Sequence, residues 1–285
     1  MKKQQIYLSI AGLLLLSGLL IFGKTVAKKE PIAAVVEGKD NHNHSFNIDE
    51  YLLKSKTQLT TAQSNYISRL ENSVSRGDVK EQQIKVFNQL ASFWKDSMKN
   101  SSVFVFYSSQ AAKLVSSEKN LSFAAQLILS EVRKEEDLAK RGWKAEQAIA
   151  LFEKAIELNP ANDSLKVGLG SCYVFGKGMA GSAEETMKGI QTLLQVVRKD
   201  SLNMQAQLVL GIGGVVSTQY DKAIQRLLTV LQKQPNNLEA ISWLADAYAA
   251  KGNKAEAMRW YETSKRMVNN PQFSKEVDER IKQIK

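Results

Sequence analysis

A repeating punctuation limits what this chain can fold into more than any other feature. Pro160, Ser201, Pro235 and Asn269 occupy equivalent places, and the last two intervals between them are 34 residues each. The first interval is 41 residues, which is 34 plus a seven-residue insertion at Gly176-Lys-Gly-Met-Ala-Gly-Ser182, glycine-rich as a loop extension should be. A unit of that length cannot cover its own apolar surface, so successive units must stack and share a core. Proline enforces the punctuation: it lacks an amide donor, and its ring clashes with the preceding helical turn.

Within the period, the side chains keep fixed characters. Leu169-Gly170-x-x-Tyr173 and Leu244-Ala245-x-x-Tyr248 recur, and Leu210-Gly211 keeps the first half of that pattern with Gly214 in place of Tyr. A following helix supplies a small and a large apolar residue: Ala148 and Phe152, Gly189 and Leu193, Ala223 and Leu227, Ala257 and Tyr261. Small residues let two antiparallel helices approach closely, and large ones fill the groove between successive hairpins. Ala148, Leu151, Phe152, Ala155 and Ile156 have the spacing of one apolar helical face. Pro160 and Pro235 close two units, while Ser201 and Pro271 depart from the pattern. Together these residues resemble the tetratricopeptide repeat family. The resemblance implies an all-α fold, with antiparallel helical hairpins stacked as a right-handed solenoid over about residues 129–270. It also implies a protein or peptide partner held in a concave groove lined mainly by the first helix of each hairpin.

Flanking segments extend this reading. Residues 49–128 read as a degenerate helical region, with the turn Gly77-Asp78 followed by the apolar stripe Ile84, Phe87, Leu90 and Trp94. Residues 102–117 and 121–141 read as further helices, the latter pairing with 145–158. At the other end, Phe273, Val277, Ile281 and Ile284 form one apolar face, which makes 271–285 a capping helix.

The amino terminus has a different character. An apolar run from Ile6 to Phe22 is flanked by Lys2 and Lys3 before it and by Lys24, Lys28 and Lys29 after it. As a helix it would be roughly 26 Å long, at the short end of what spans a bilayer. Residues 1–23 are therefore expected to be a membrane anchor, with a signal peptide cleaved near Thr25-Val-Ala27 as the alternative. Short Lys-Lys tails usually stay in the cytoplasm, which would place the bulk of the chain in the periplasm of a bacterial envelope. Residues 24–48 read as a flexible linker, and its His42-x-His44 pair lacks a third metal ligand nearby.

Composition and motif content argue against other classes. The net charge of +10 is spread along the chain and shows no basic run interleaved with aromatics, so nucleic-acid binding is not expected. A lone cysteine, Cys172, rules out an intramolecular disulfide and reads as a small buried apolar thiol. With both histidines in the linker, no histidine-based triad can form inside the fold. Glu135, Glu136 and Asp137 are consecutive and are expected to fan around a helix without converging. No cofactor, metal or catalytic residue is expected.

Function then falls to the groove, whose residues follow from the family resemblance: Val167, Ser171, Leu208, Ile212, Val215, Ser242 and Asp246. Family members that clamp a terminal carboxylate carry Lys, Asn and Arg at such positions, and this chain does not. The very apolar stretch Met204–Val216 suggests an apolar partner segment, or a plug made by the chain's own N-terminal helices. A second candidate surface, for anionic lipid, is the basic cluster Arg133, Lys134, Lys140 and Arg141 beside Trp143. By resemblance, the expected role is a membrane-tethered adaptor, or an accessory factor of a secretion or cytochrome c maturation complex.

Overall fold

A computed structural model describes residues 46–76, 79–115 and 117–284. Among them are thirteen α-helices and no strand. Three helices come first: α1 (Ile48–Lys56), α2 (Thr61–Arg76) and α3 (Lys80–Ser92), the last continuing as a π-helical turn, Phe93–Ser97. Next come α4 (Ser101–Lys113), α5 (Glu118–Lys134) and α6 (Leu138–Leu158). The remaining helices are α7 (Asp163–Ser171), α8 (Ala183–Lys199), α9 (Met204–Val216), α10 (Tyr220–Lys233), α11 (Leu238–Ala250), α12 (Lys254–Val268) and α13 (Pro271–Ile284).

Four hairpins, α5–α6, α7–α8, α9–α10 and α11–α12, stack in chain order, and their first helices lie side by side. Ahead of them, α3 pairs with α4, and α4 packs on both helices of the first hairpin. One apolar core runs through this stack from Ile67 to Ala247. A second, smaller cluster holds Ala245, Ala257, Tyr261, Val277 and Ile281 together, so α13 covers the last hairpin as the apolar face of 271–285 requires.

The signature residues do what their sizes demand. A methyl group on Gly170 would sit 2.6 Å from Leu193 Cγ, and one on Gly211 would sit 2.7 Å from Leu227 Cγ. Each small residue of a first helix thus faces the large residue of its own second helix. Gly214, standing where Tyr is usual, lets α9 approach Ala223, whose Cβ would lie 3.0 Å from an added methyl.

Each unit also has a local start signal. Asn162, Asn203 and Asn237 stand two residues after Pro160, Ser201 and Pro235, and each accepts a hydrogen bond from the first turn of the following helix. Such a cap stabilises its helix by about 1 kcal/mol. The turn inside a hairpin needs a left-handed residue, supplied by Gly252 (φ 86°) in the last unit and by Thr218 (φ 60°) in the third. A β-branched residue is strained there. Thr218→Gly is expected to stabilise the protein by about 1 kcal/mol, the left-handed cost outweighing the extra freedom of glycine in the unfolded chain. A higher guanidinium midpoint is the readout, and a lower one would show that the threonine makes compensating contacts.

Three sequence expectations are corrected. The residues read as a glycine-rich loop extension begin inside helix: α7 continues as a π-helical segment, Cys172–Gly178, and the turn starts only afterwards. Gly176 and Gly178 are small because the segment presses on Ala145 and Thr186. The helix expected at 121–141 is instead α5, ending at Lys134, followed by α6 from Leu138, so the boundary placed at 128/129 falls inside α5. Glu135, Glu136 and Asp137 form the turn between these helices, where Asp137 caps α6 by accepting from the Lys140 amide at 3.0 Å.

Cys172 is fully buried, and burial pushes its thiol pKa far up. The native protein is expected to leave a thiol reagent unreacted for as long as it stays folded, with one thiol appearing on unfolding. Rapid labelling under native conditions would contradict this burial. The apolar run Ile6–Phe22, the linker histidines and the turn Gly77-Asp78 lie outside the described residues. No helix among the described residues is long and apolar enough to cross a membrane.

Candidate functional site

The first helices α5, α7 and α9 border a hollow of about 390 Å³. From α5 it receives Gln126, Leu129, Ser130 and Arg133; from α7, Ser164, Val167, Gly168 and Ser171; and from the start of α9, Asn203 and Gln205. Hydrogen-bonding side chains line it together with Leu129 and Val167, and among the described residues that line it Arg133 is the one charged residue.

Phe175 lies in the π-helical segment that continues α7, and the Arg133 guanidinium of α5 sits over its ring at 4.2 Å from the centre. The same guanidinium donates to the carboxylate of Glu239 in the first turn of α11. An ion pair therefore joins the first helices of the first and fourth hairpins.

The residues expected in the groove are divided by the structure. Val167 and Ser171 line the hollow, with the Ser171 hydroxyl donating to the Val167 carbonyl at 2.8 Å. Leu208 (5% exposed) and Ile212 (fully buried) belong to the core, so no partner reaches them in this conformation. Every residue of α9 from Ala206 to Gly214 is buried, which is why the helix is apolar on all sides. Val215 and Ser242 are half-buried and do not border the hollow. Asp246 is occupied: Tyr261 donates to it at 2.6 Å, and Arg280 of α13 binds both its oxygens at 2.8 Å. That contact ties the cap to α11.

The basic cluster also comes apart. Lys134 pairs with Glu131, Arg141 donates to the Glu135 carbonyl at 2.6 Å, and Lys140 lies over the Tyr51 ring. Trp143 packs against Phe46. Arg133 alone of these turns into the hollow. Sequence reasoning missed Gln126, Leu129, Ser130, Ser164, Gly168, Asn203 and Gln205. Asn203 had a signal in its place after Ser201, whereas Gln126, Ser130, Ser164 and Gln205 look like ordinary polar surface, and Leu129 and Gly168 like ordinary packing positions.

Among the described residues, no cluster of three or more His, Cys, Asp or Glu side chains could hold a metal ion.

Comparison with known proteins bears on the fold. Residues 217–274 match the family model described as Tetratricopeptide repeat. A tetratricopeptide repeat protein from Parabacteroides merdae is 13% identical, with a TM-score of 0.50 over 82% of this chain and 92% of that one. A thermophilic protein of the same class from Thermus thermophilus is 17% identical, with a TM-score of 0.48 over 72% of this chain and 98% of that one. YrrB, a TPR protein with an unusual peptide-binding site, is 15% identical, with a TM-score of 0.44 over 74% of this chain and 97% of that one. At these identities the likeness bears on the fold, and the Parabacteroides protein carries it. No curated protein matches the chain in sequence. The fold is that of an all-helical tetratricopeptide-type solenoid.

Proposed function

We propose that this chain is a non-catalytic scaffold that holds a partner polypeptide in the hollow between α5, α7 and α9. One observation carries the reading: side chains from three consecutive first helices converge on an open hollow with hydrogen-bonding walls and one cation. An extended peptide presents backbone donors and acceptors along its length, and Ser, Asn and Gln side chains can meet either kind. Stacked hairpins suit such a ligand because their first helices form a continuous surface.

The test is direct. Full-length protein in detergent micelles is used to select binders from a random dodecapeptide library. Ser164, exposed at the rim of the hollow, is then changed to Trp, and Gln191, exposed on α8, is changed likewise. Ser164→Trp is expected to weaken binding at least tenfold and Gln191→Trp to leave it unchanged. Equal effects, or no binders at all, would refute the groove.

A tether to the membrane through residues 6–22 is part of the same proposal, with the bulk of the chain in the periplasm. Its support is the apolar run and its flanking lysines. Deleting residues 1–23 is expected to move the protein from an alkali-resistant membrane pellet to the supernatant. An intact protein already in the supernatant would contradict the tether.

A further inference from the structure

The contact between Arg133 and Glu239 joins side chains 106 residues apart, and the hairpin signature gives no reason for it. We infer that Arg133 is the carboxylate-binding anchor of the groove and that Glu239 is an internal surrogate, occupying it until a partner's carboxylate takes over. The inference rests on the groove reading above and names the chemistry of its ligand.

Three observations converge on Arg133. It is the sole charged residue among the described residues lining the hollow, so a segment lying there meets one cation among neutral hydrogen-bonding groups. Its guanidinium lies over the Phe175 ring, 4.2 Å from the centre, a contact that favours one placement of the cation. Finally, a carboxylate, that of Glu239, is already paired with this guanidinium.

The surrogate is weakly held. The Arg133 and Glu239 side chains are 37% and 31% exposed, and ion pairs open to water to this degree are readily exchanged. An incoming Asp, Glu or terminal carboxylate exchanges one charged partner for another at the guanidinium. Its neighbouring residues then add hydrogen bonds to Ser164, Asn203 or Gln205 that Glu239 does not make. When Glu239 is displaced, α11 is freed from α5, so partner binding loosens the contact between the first and fourth hairpins. The ligand class is therefore an extended acidic segment or an acidic chain end.

The peptides recovered from the library provide the test. They are expected to be enriched in Asp and Glu. Resynthesised with each Asp or Glu changed to its amide, they should bind about tenfold more weakly. Pairing amidated with free C-termini tells a side-chain carboxylate from a terminal one. Arg133→Gln is expected to abolish the preference for the acidic peptide, and Arg133→Lys to retain part of it, since the charge remains without the planar fork. Glu239→Gln removes the competitor and is expected to tighten binding two- to fivefold, by roughly the strength of a partly exposed ion pair. Recovered peptides without acidic residues, an acidic preference that survives Arg133→Gln, or weaker binding by Glu239→Gln would each overturn the anchor. If Ser164→Trp blocks binding while Arg133→Gln leaves the preference intact, the anchor fails and the groove stands. If Ser164→Trp has no effect, the groove reading itself fails.

Discussion

Phe152→Ala is expected to destabilise the protein by about 3–5 kcal/mol, the usual result of removing a fully buried aromatic ring from a packed interior. The ring is fully buried on α6. It lies so close to Gly168 of α7 that a methyl added to the glycine would overlap the ring edge. This contact joins the first hairpin to the second, so the loss is expected to reduce cooperativity between units as well as stability. A double-mutant cycle sharpens the point. Gly168→Ala alone is expected to cost about 1–3 kcal/mol by overpacking, and much less in a Phe152→Leu background, because the ring supplies the three heavy atoms nearest to the added methyl. Guanidinium midpoints of the four proteins measure the coupling, and simple additivity would contradict the packing described here.

Glu135→Ala is expected to have an effect of similar size, about 3 kcal/mol, for an electrostatic reason. Lys144 is 1% exposed, and its ammonium donates to Glu135 at 2.5 Å and to the Ser101 hydroxyl at 2.6 Å. Those bonds tie α6 to the turn before it and to the start of α4. Removing the carboxylate leaves a buried cation facing one neutral hydroxyl. Replacing both members, as Glu135→Ala with Lys144→Met, is expected to recover most of the loss, because buried charges cost desolvation that an apolar side chain does not.

The same pair sets a pH dependence. Burial of Glu135 works to raise its pKa, but the hydrogen bond and charge of Lys144, with the Asp137 amide and Lys140, bring it below the ordinary 4.5. A carboxylate with a lower pKa in the folded than in the unfolded chain stabilises fully above the unfolded value. That contribution disappears as pH falls through the folded value. The stability gap between wild type and Glu135→Ala should therefore be constant near neutrality and narrow progressively below about pH 4.5. A gap unchanged down to pH 2 would show that folding leaves the carboxylate's pKa where it is in the unfolded chain.

The hairpins were legible because their information is local and repeated. Gly170 with Leu193 and Gly211 with Leu227 are pairs whose sizes state their own geometry. The cap was legible for a similar reason, since Val277 and Ile281 recur at helical spacing. The insertion was misread because glycine signals both a loop and close packing. At Gly176 and Gly178 it marks packing, and the helix runs on through both. Leu208 and Ile212 were placed in the groove by their offset within the repeat. The composition of α9, apolar on every side, was the stronger signal and marked a helix covered all round. Arg133 lay in view within a basic cluster, but nothing local to it announces a partner in α11. Contacts of that range follow from how far the stack curls, a property of all four hairpins together.

Photocrosslinking from defined positions tests the groove most directly. A benzophenone amino acid is placed at Gln126 or Ser164 in the hollow, and at Gln191 or Gln225, exposed on the second helices α8 and α10. The full chain is then irradiated with its library-selected peptides. Adducts are expected from Gln126 and Ser164 and to be lost in Arg133→Gln, with little from Gln191 and Gln225. Adducts of equal yield from all four positions, or from the second helices alone, would contradict a groove-bound partner.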